Sequence, residues 1–172
     1  SDNWVNVSIS RDPGGILKAN EMPSVKHDRD YPAVSLKNVA KNTYLFDFGQ
    51  NMAGFVRIKV KGPKGTEYVI KMNEKLKEDG TLDIAQNSGF TKTGEFQTDK
   101  YIKKGDEEEV WQPRFVYHGF RYAQVEGFTY TPDISSATAV FLHTAVKEIG
   151  QFTCSDDIIN QIQTNTKMAT YS

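Results

Sequence analysis

The stretch that most constrains this chain runs from Tyr44 to Val60. Tyr44, Phe46 and Phe48 alternate with Leu45 and Asp47, and Val56, Ile58 and Val60 alternate with Arg57, Lys59 and Lys61. Alternation at period two sends one set of side chains to a buried face and the other to water, which is strand patterning. Between the halves lies Gly49-Gln50-Asn51-Met52-Ala53-Gly54, with a glycine at each end, where positive φ or close backbone approach is cheap. The pattern predicts two strands joined by a specific loop.

The flanking sequence carries the same signal. Val5, Val7 and Ile9 alternate and predict a short edge strand, Asp12-Pro13-Gly14-Gly15 is a turn signal, and Pro23 and Pro32 argue against helix. Residues 1–32 therefore read as a lead-in, either the exit from an upstream domain or an edge strand. A strand is predicted over Val34–Val39, a turn at Lys41-Asn42, and a hairpin turn at Gly62-Pro63-Lys64-Gly65. Tyr68, Ile70 and Met72 give the next strand one apolar face, and Glu78-Asp79-Gly80 and Asn87-Ser88-Gly89 are further turns. Glu95–Ile102 reads as a strand closed by Lys103–Asp106, and Glu107-Glu108-Glu109 as a solvated bend. Glu109–Tyr117 reads as extended because Pro113 would break a helix. Phe120–Val125 and Ala137–Val146 complete the set. Strands at intervals of about 8–15 residues with turn chemistry between them indicate an all-β, antiparallel β-sandwich of jelly-roll type, here over residues 33–148.

After Gly150 the period changes. Ser155 is a suitable N-cap, Asp156 and Asp157 sit where the helix dipole favours negative charge, and Ile158, Ile159 and Ile162 recur at helical spacing. One C-terminal α-helix is expected within residues 149–172. Its apolar stripe wants a partner.

Composition narrows the function classes. A length of 172 residues suits one domain with a short piece of a second. The 21 basic and 22 acidic residues leave a net charge of −1, which gives no electrostatic footprint for nucleic acid. The single cysteine, Cys154, precludes an internal disulfide, and no run of 18 apolar residues predicts a membrane span. No secretory leader is visible at Ser1-Asp2-Asn3-Trp4, an observation that loses its force if the chain is a piece of a larger protein. The compartment stays open: periplasmic or extracellular placement suits a longer parent, and cytoplasmic placement is not excluded.

Chemistry has few anchors. Glu74 with Asp79, or Glu107–Glu109, read as exposed turn acids rather than a catalytic pair. His27 and His143 are isolated and no His-x-His or Cys-x-x-Cys spacing occurs, so no transition-metal site and no cofactor are expected. Asp28 with Asp30, or Asp79 with Asp83, offers oxygens of the type calcium takes, without a complete loop. His118, between Tyr117 and Gly119 and flanked by Arg114 and Arg121, reads as a contact to sugar hydroxyls, as a wall of a neighbouring active site, or as a structural histidine bonded to backbone. Trp111, Tyr117, Phe120 and Tyr122 are the residue types that cover sugar faces, although aromatics alternating on strands mostly pack in cores. Asp47, Gln50 and Asn51 read as turn-fixing residues or as a docking face. Cys154 lacks the cationic neighbour of a reactive thiolate.

Several motifs share one family's order and spacing. They are Asp47–Gly54 followed by Val56-x-Ile58-x-Val60, Gly62–Thr66, Glu74-Lys75-Leu76 with Asp79–Leu82, Thr98–Tyr101, Trp111–Tyr122 and Gly150–Asp157. Together they resemble the β-sandwich domain of bacterial α-L-rhamnosidases of glycoside hydrolase family 78. The likeness runs from about Asn42 to the C-terminus and is weaker before Asn42 and over Asp83–Asn87. It implies a concanavalin-like sandwich, with residues 149–172 entering a helical (α/α) catalytic barrel that would be the domain's partner. The parent would release terminal α-L-rhamnose with inversion, and its catalytic acids would lie beyond this chain. On this reading Asp47, Gln50, Asn51, Trp111, Arg114, Tyr117, His118 and Arg121 are candidates for docking or sugar contact. Two other readings stay open: a carbohydrate-binding module for rhamnose-containing glycans, and a purely structural interaction domain.

Overall fold

The computed structural model describes residues 5–12, 14–85 and 96–171. Asn87-Ser88-Gly89 and the start of the strand expected from Glu95 lie outside them. Among the described residues eight strands form one antiparallel sheet: β1 (Val25–Pro32), β2 (Ser35–Ala40), β3 (Thr43–Val60), β4 (Glu67–Asn73), β5 (Thr98–Ile102), β6 (Glu109–Trp111), β7 (His118–Glu126) and β8 (Ala137–Thr144). A helix, α1 (Asp157–Tyr171), follows. The order across the sheet is β1-β8-β3-β7-β4-β5, with β2 and β6 also paired to β3. The sheet curls into a half-barrel with the core on its inner face, the layout of a concanavalin-like sandwich.

β3 is the axis of this arrangement. Its first residues lie between β2 and β7, Gly54 lies between His118 of β7 and Phe141 of β8, and Ile58 lies between Trp111 of β6 and Ala137 of β8. The two expected strands are therefore one continuous strand, and the expected loop is a bulge inside it. Asp47 pairs with Tyr122 and Met52 with Phe120, so four residues, Phe48–Asn51, face Arg121 alone. Such an excess of residues on one side bends a strand and re-aims its side chains. Gly49, at φ 74°, supplies the left-handed conformation the bulge needs. Gly54 answers a different demand: a Cβ there would sit 2.0 Å from the Val140 carbonyl oxygen, so β3 and β8 approach closely only without a side chain.

The alternation in sequence becomes the inner face. Phe46, Ile58, Val60, Tyr68, Ile70 and Phe120 are each fully buried. Phe128, just past β7, meets Tyr44, Phe46, Tyr68 and Tyr130 at ring-centroid distances of 5.6, 6.4, 5.2 and 5.5 Å. Such edge and tilted contacts add to the area the rings bury.

Four local expectations change. Val5, Val7 and Ile9 are exposed and outside any strand; the edge strand is β1, which pairs with β8. The turn after β3 forms, with the Thr66 N–H donating to Pro63, but it is not a hairpin, because β4 pairs with β5 and β7 instead of β3. Glu109 is buried at the start of β6, bonded to the Tyr101 hydroxyl and to the Gly105 N–H, rather than solvated with its two neighbours. The helix is capped by Asp156, whose carboxylate accepts from the N–H groups of Ile158 and Ile159, one residue later than the Ser155 cap expected.

Candidate docking and sugar-contact surface

The β3 bulge and the start of β7 bring five of the eight candidate residues to one seam. Asp47 receives Arg121 through two parallel bonds, Nε to Oδ1 at 2.8 Å and Nη2 to Oδ2 at 2.9 Å, and also takes the Gly49 N–H at 2.7 Å. The guanidinium also lies 5.0 Å from the Tyr122 ring. The arginine holds the Asp47 carboxyl below its ordinary range, the Gly49 N–H adds to this, and partial burial opposes it. Gln50 donates to the Asn51 carbonyl, and the Asn51 amide donates to Glu74 at 3.0 Å. The His118 ring bonds the Asp99 carboxylate at 3.2 Å, and the Gly119 N–H donates to Gln97 at 2.8 Å. Sequence reading gave His118 a sugar or a backbone partner; the partner in the structure is a carboxylate on β5.

The other three candidates lie elsewhere. Trp111 pairs with Ile58, about 23 Å along β3 from Asn51 at strand rise. One face of its indole is stacked on Tyr101 at 5.0 Å. Burial and the Glu109 carboxylate push the Tyr101 hydroxyl up to about 12. Arg114 and Tyr117 stand in an exposed segment, residues 114–117, between the buried Pro113 and His118. Phe115 and Val116, absent from the sequence candidates, share that segment, and Phe115 has φ 62° in place of the extended backbone expected. An apolar residue just before His118-Gly119, in a stretch otherwise read as strand, was the available signal.

The described carboxylates with a displaced pKa are all displaced downward, held charged by the cations and donors beside them. The oxygens considered for calcium are engaged: Asp28 with Arg29, Asp30 with His27 and Arg57, Asp79 with Thr81, and Asp83 with the Ala85 N–H. Among the described residues no cluster of three His, Cys, Asp or Glu side chains could hold a metal ion.

Beyond β8 the chain carries exposed apolar groups. Ile158, Ile159 and Ile162 on α1 and Ile149 and Phe152 before it are open, and no residue of α1 is buried. The helix touches the sheet near its end, where Tyr171 stacks on His143 at 4.6 Å and Met168 and Tyr171 pack against the core. Lys167 pairs with Glu148 at 2.6 Å.

Residues 37–143 match the family described as the bacterial alpha-L-rhamnosidase concanavalin-like domain. The chain belongs to this family. An alpha-L-rhamnosidase of Formosa agariphila is 34% identical over 151 residues, covering 88% of this chain and 16% of the relative. The structure of alpha-L-rhamnosidase from Dictyoglumus thermophilum superposes with TM-score 0.85 at 34% identity, over 95% of this chain and 18% of that one. The crystal structure of the Streptomyces avermitilis alpha-L-rhamnosidase complexed with L-rhamnose gives TM-score 0.79 at 31% identity, over 87% of this chain and 14% of that one. The chain thus spans about a sixth of the length of these relatives, which carry further domains.

Proposed function

We propose that this chain is the accessory β-sandwich of a longer α-L-rhamnosidase, and that residues 149–172 begin its helical (α/α) catalytic barrel. The carrying observation is α1: a helix with an open isoleucine stripe, attached to the sheet near one end, in a chain about one sixth the length of its rhamnosidase relatives. A surface helix of this kind needs a partner for its apolar face. In this reading the parent hydrolyses terminal α-L-rhamnosides with inversion, using a carboxylic acid and a carboxylate supplied by the barrel. The bulge seam of Asp47, Gln50, Asn51, His118 and Arg121 serves docking, because its polar groups have protein partners (Asp47 with Arg121, Asn51 with Glu74, His118 with Asp99) and need no sugar to be satisfied.

The test is turnover of an aryl α-L-rhamnoside by this chain and by the full-length parent, side by side. The parent is expected to turn over and the chain to be inactive. Turnover by the chain alone would place a carboxylate pair within these residues and overturn the reading. One observation favours sugar binding as a second role: Tyr117 is 62% exposed, an accessible aromatic of the type sugars stack on. A rhamnose soak that shows sugar on Tyr117 would establish it.

A further inference from the structure

We propose that Phe115 is a docking anchor, presented by a rigid loop to the part of the parent chain that follows α1. The inference rests on the accessory-domain reading and names a contact within it. Phe115 is completely exposed (103%), and its neighbours Val116 and Tyr117 are 40% and 62% exposed. A lone exposed apolar residue needs no explanation, but a contiguous Phe-Val-Tyr at a loop tip does. The backbone at Phe115 is left-handed, at φ 62°, a conformation uncommon for a bulky residue and one that persists where the surroundings impose it.

The loop is anchored at both ends. On one side Gln112 accepts from Arg57 Nε at 2.8 Å and Pro113 is buried. On the other the His118 ring is fixed by Asp99 and the Gly119 N–H by Gln97. Both ends are tied to strands, and the tip is turned outward. An aromatic group held in place before binding loses little entropy on docking, which is the character of an interface hot spot.

The position of the loop selects the occupant. Tyr117 and Tyr171 line one small cavity, together with Ala53, Leu142 and His143. The end of α1 therefore lies beside Tyr117, two residues along the loop from Phe115, and a polypeptide continuing from α1 would start there. The match covers only 16% and 18% of two rhamnosidase relatives, so a parent of that length has further chain available for this contact. That segment, and not a free sugar, is the occupant proposed.

The experiment is thiol labelling at position 115 in the full-length parent. Phe115→Cys is introduced with Cys154→Ser, the site is labelled with a maleimide, and the modified peptide is quantified by mass. The same variant in the 172-residue chain gives the unprotected rate, and Ile162→Cys gives a matching probe on α1. The expected result is labelling at 115 at least tenfold slower in the parent than in the chain, with and without rhamnose. Slow labelling at 162 with unprotected 115 overturns this anchor and leaves the accessory-domain reading intact. Unprotected labelling at both sites overturns both. Protection at 115 that needs rhamnose overturns the docking assignment in favour of a sugar contact.

Discussion

At the scale of single residues the determining contact is the Asp47–Arg121 fork. Four residues of β3 stand opposite one of β7, and the guanidinium ties the bulge across that mismatch. A lysine keeps the charge and loses the planar pair of bonds. Arg121 is 40% exposed, so water and salt screen the pair, and Arg121→Lys should cost only about 1 kcal/mol at neutral pH. Its pH dependence has a definite sign. The Asp47 carboxyl is depressed in the folded state, so its contribution is fully present above the ordinary carboxylate value of about 4 and fades as pH falls through the lower folded value. Urea melts of the two proteins should differ at pH 7 and converge as the pH falls through the lowered Asp47 value. A gap of unchanged size in acid would mean that packing of the arginine stem, not the ion pair, sets the difference.

At the scale of elements, what the sequence revealed was whatever neighbours in the chain determine. Tyr44-x-Phe46-x-Phe48, Val56-x-Ile58-x-Val60 and Tyr68-x-Ile70-x-Met72 became strand faces because alternation is local. The Gly49–Gly54 stretch reads as a loop in sequence because its glycines and amides look like a turn until Arg121, 74 residues after Asp47, is placed opposite. Glu109 looked solvated within a run of acids, and its burial follows from Tyr101 and Lys103, which only the fold brings near. Of the candidate site, Asp47, Gln50, Asn51, His118 and Arg121 proved to share a seam. Phe115 was missed because its exposure depends on where the chain crosses after β6. Phe128 was hidden for a related reason: it follows β7 in a turn, yet four rings from β3, β4 and the segment after β7 close on it. Phe128→Ala should therefore cost about 3–5 kcal/mol in denaturant unfolding, and Phe128→Leu much less. A loss under about 1 kcal/mol for the alanine variant would show that the strands close without this hub.

At the scale of the whole molecule the chain is a cooperative sheet carrying a loosely held helix. Outside its bulge β3 is paired to a neighbouring strand throughout, on both edges at residues 43–47, 54 and 58, and its inner side chains are fully buried. Its amides should open only with global unfolding, which for a domain of this kind lies at about 5–15 kcal/mol. α1 has 15 residues, near the length at which an isolated helix is marginal in water. It is tied to the sheet by the Tyr171–His143 stack and the Met168 and Tyr171 packing, and to the segment after β8 by the Lys167–Glu148 pair, while its isoleucines face solvent. Local opening of α1 therefore costs several kcal/mol less than opening of the sheet. At a factor of ten per 1.4 kcal/mol, native-state hydrogen exchange of the chain should show amides from Gln161 to Tyr171 exchanging at least about a hundredfold faster than those of Phe46, Val56 and Ile58. In the full-length parent the same helix amides should slow toward the rates of β3, because a docked isoleucine stripe has to leave its partner before the helix can open. Equal protection of α1 and β3 in the chain alone would mean that the helix is a fixed part of the sandwich, with its exposed stripe unrelated to docking.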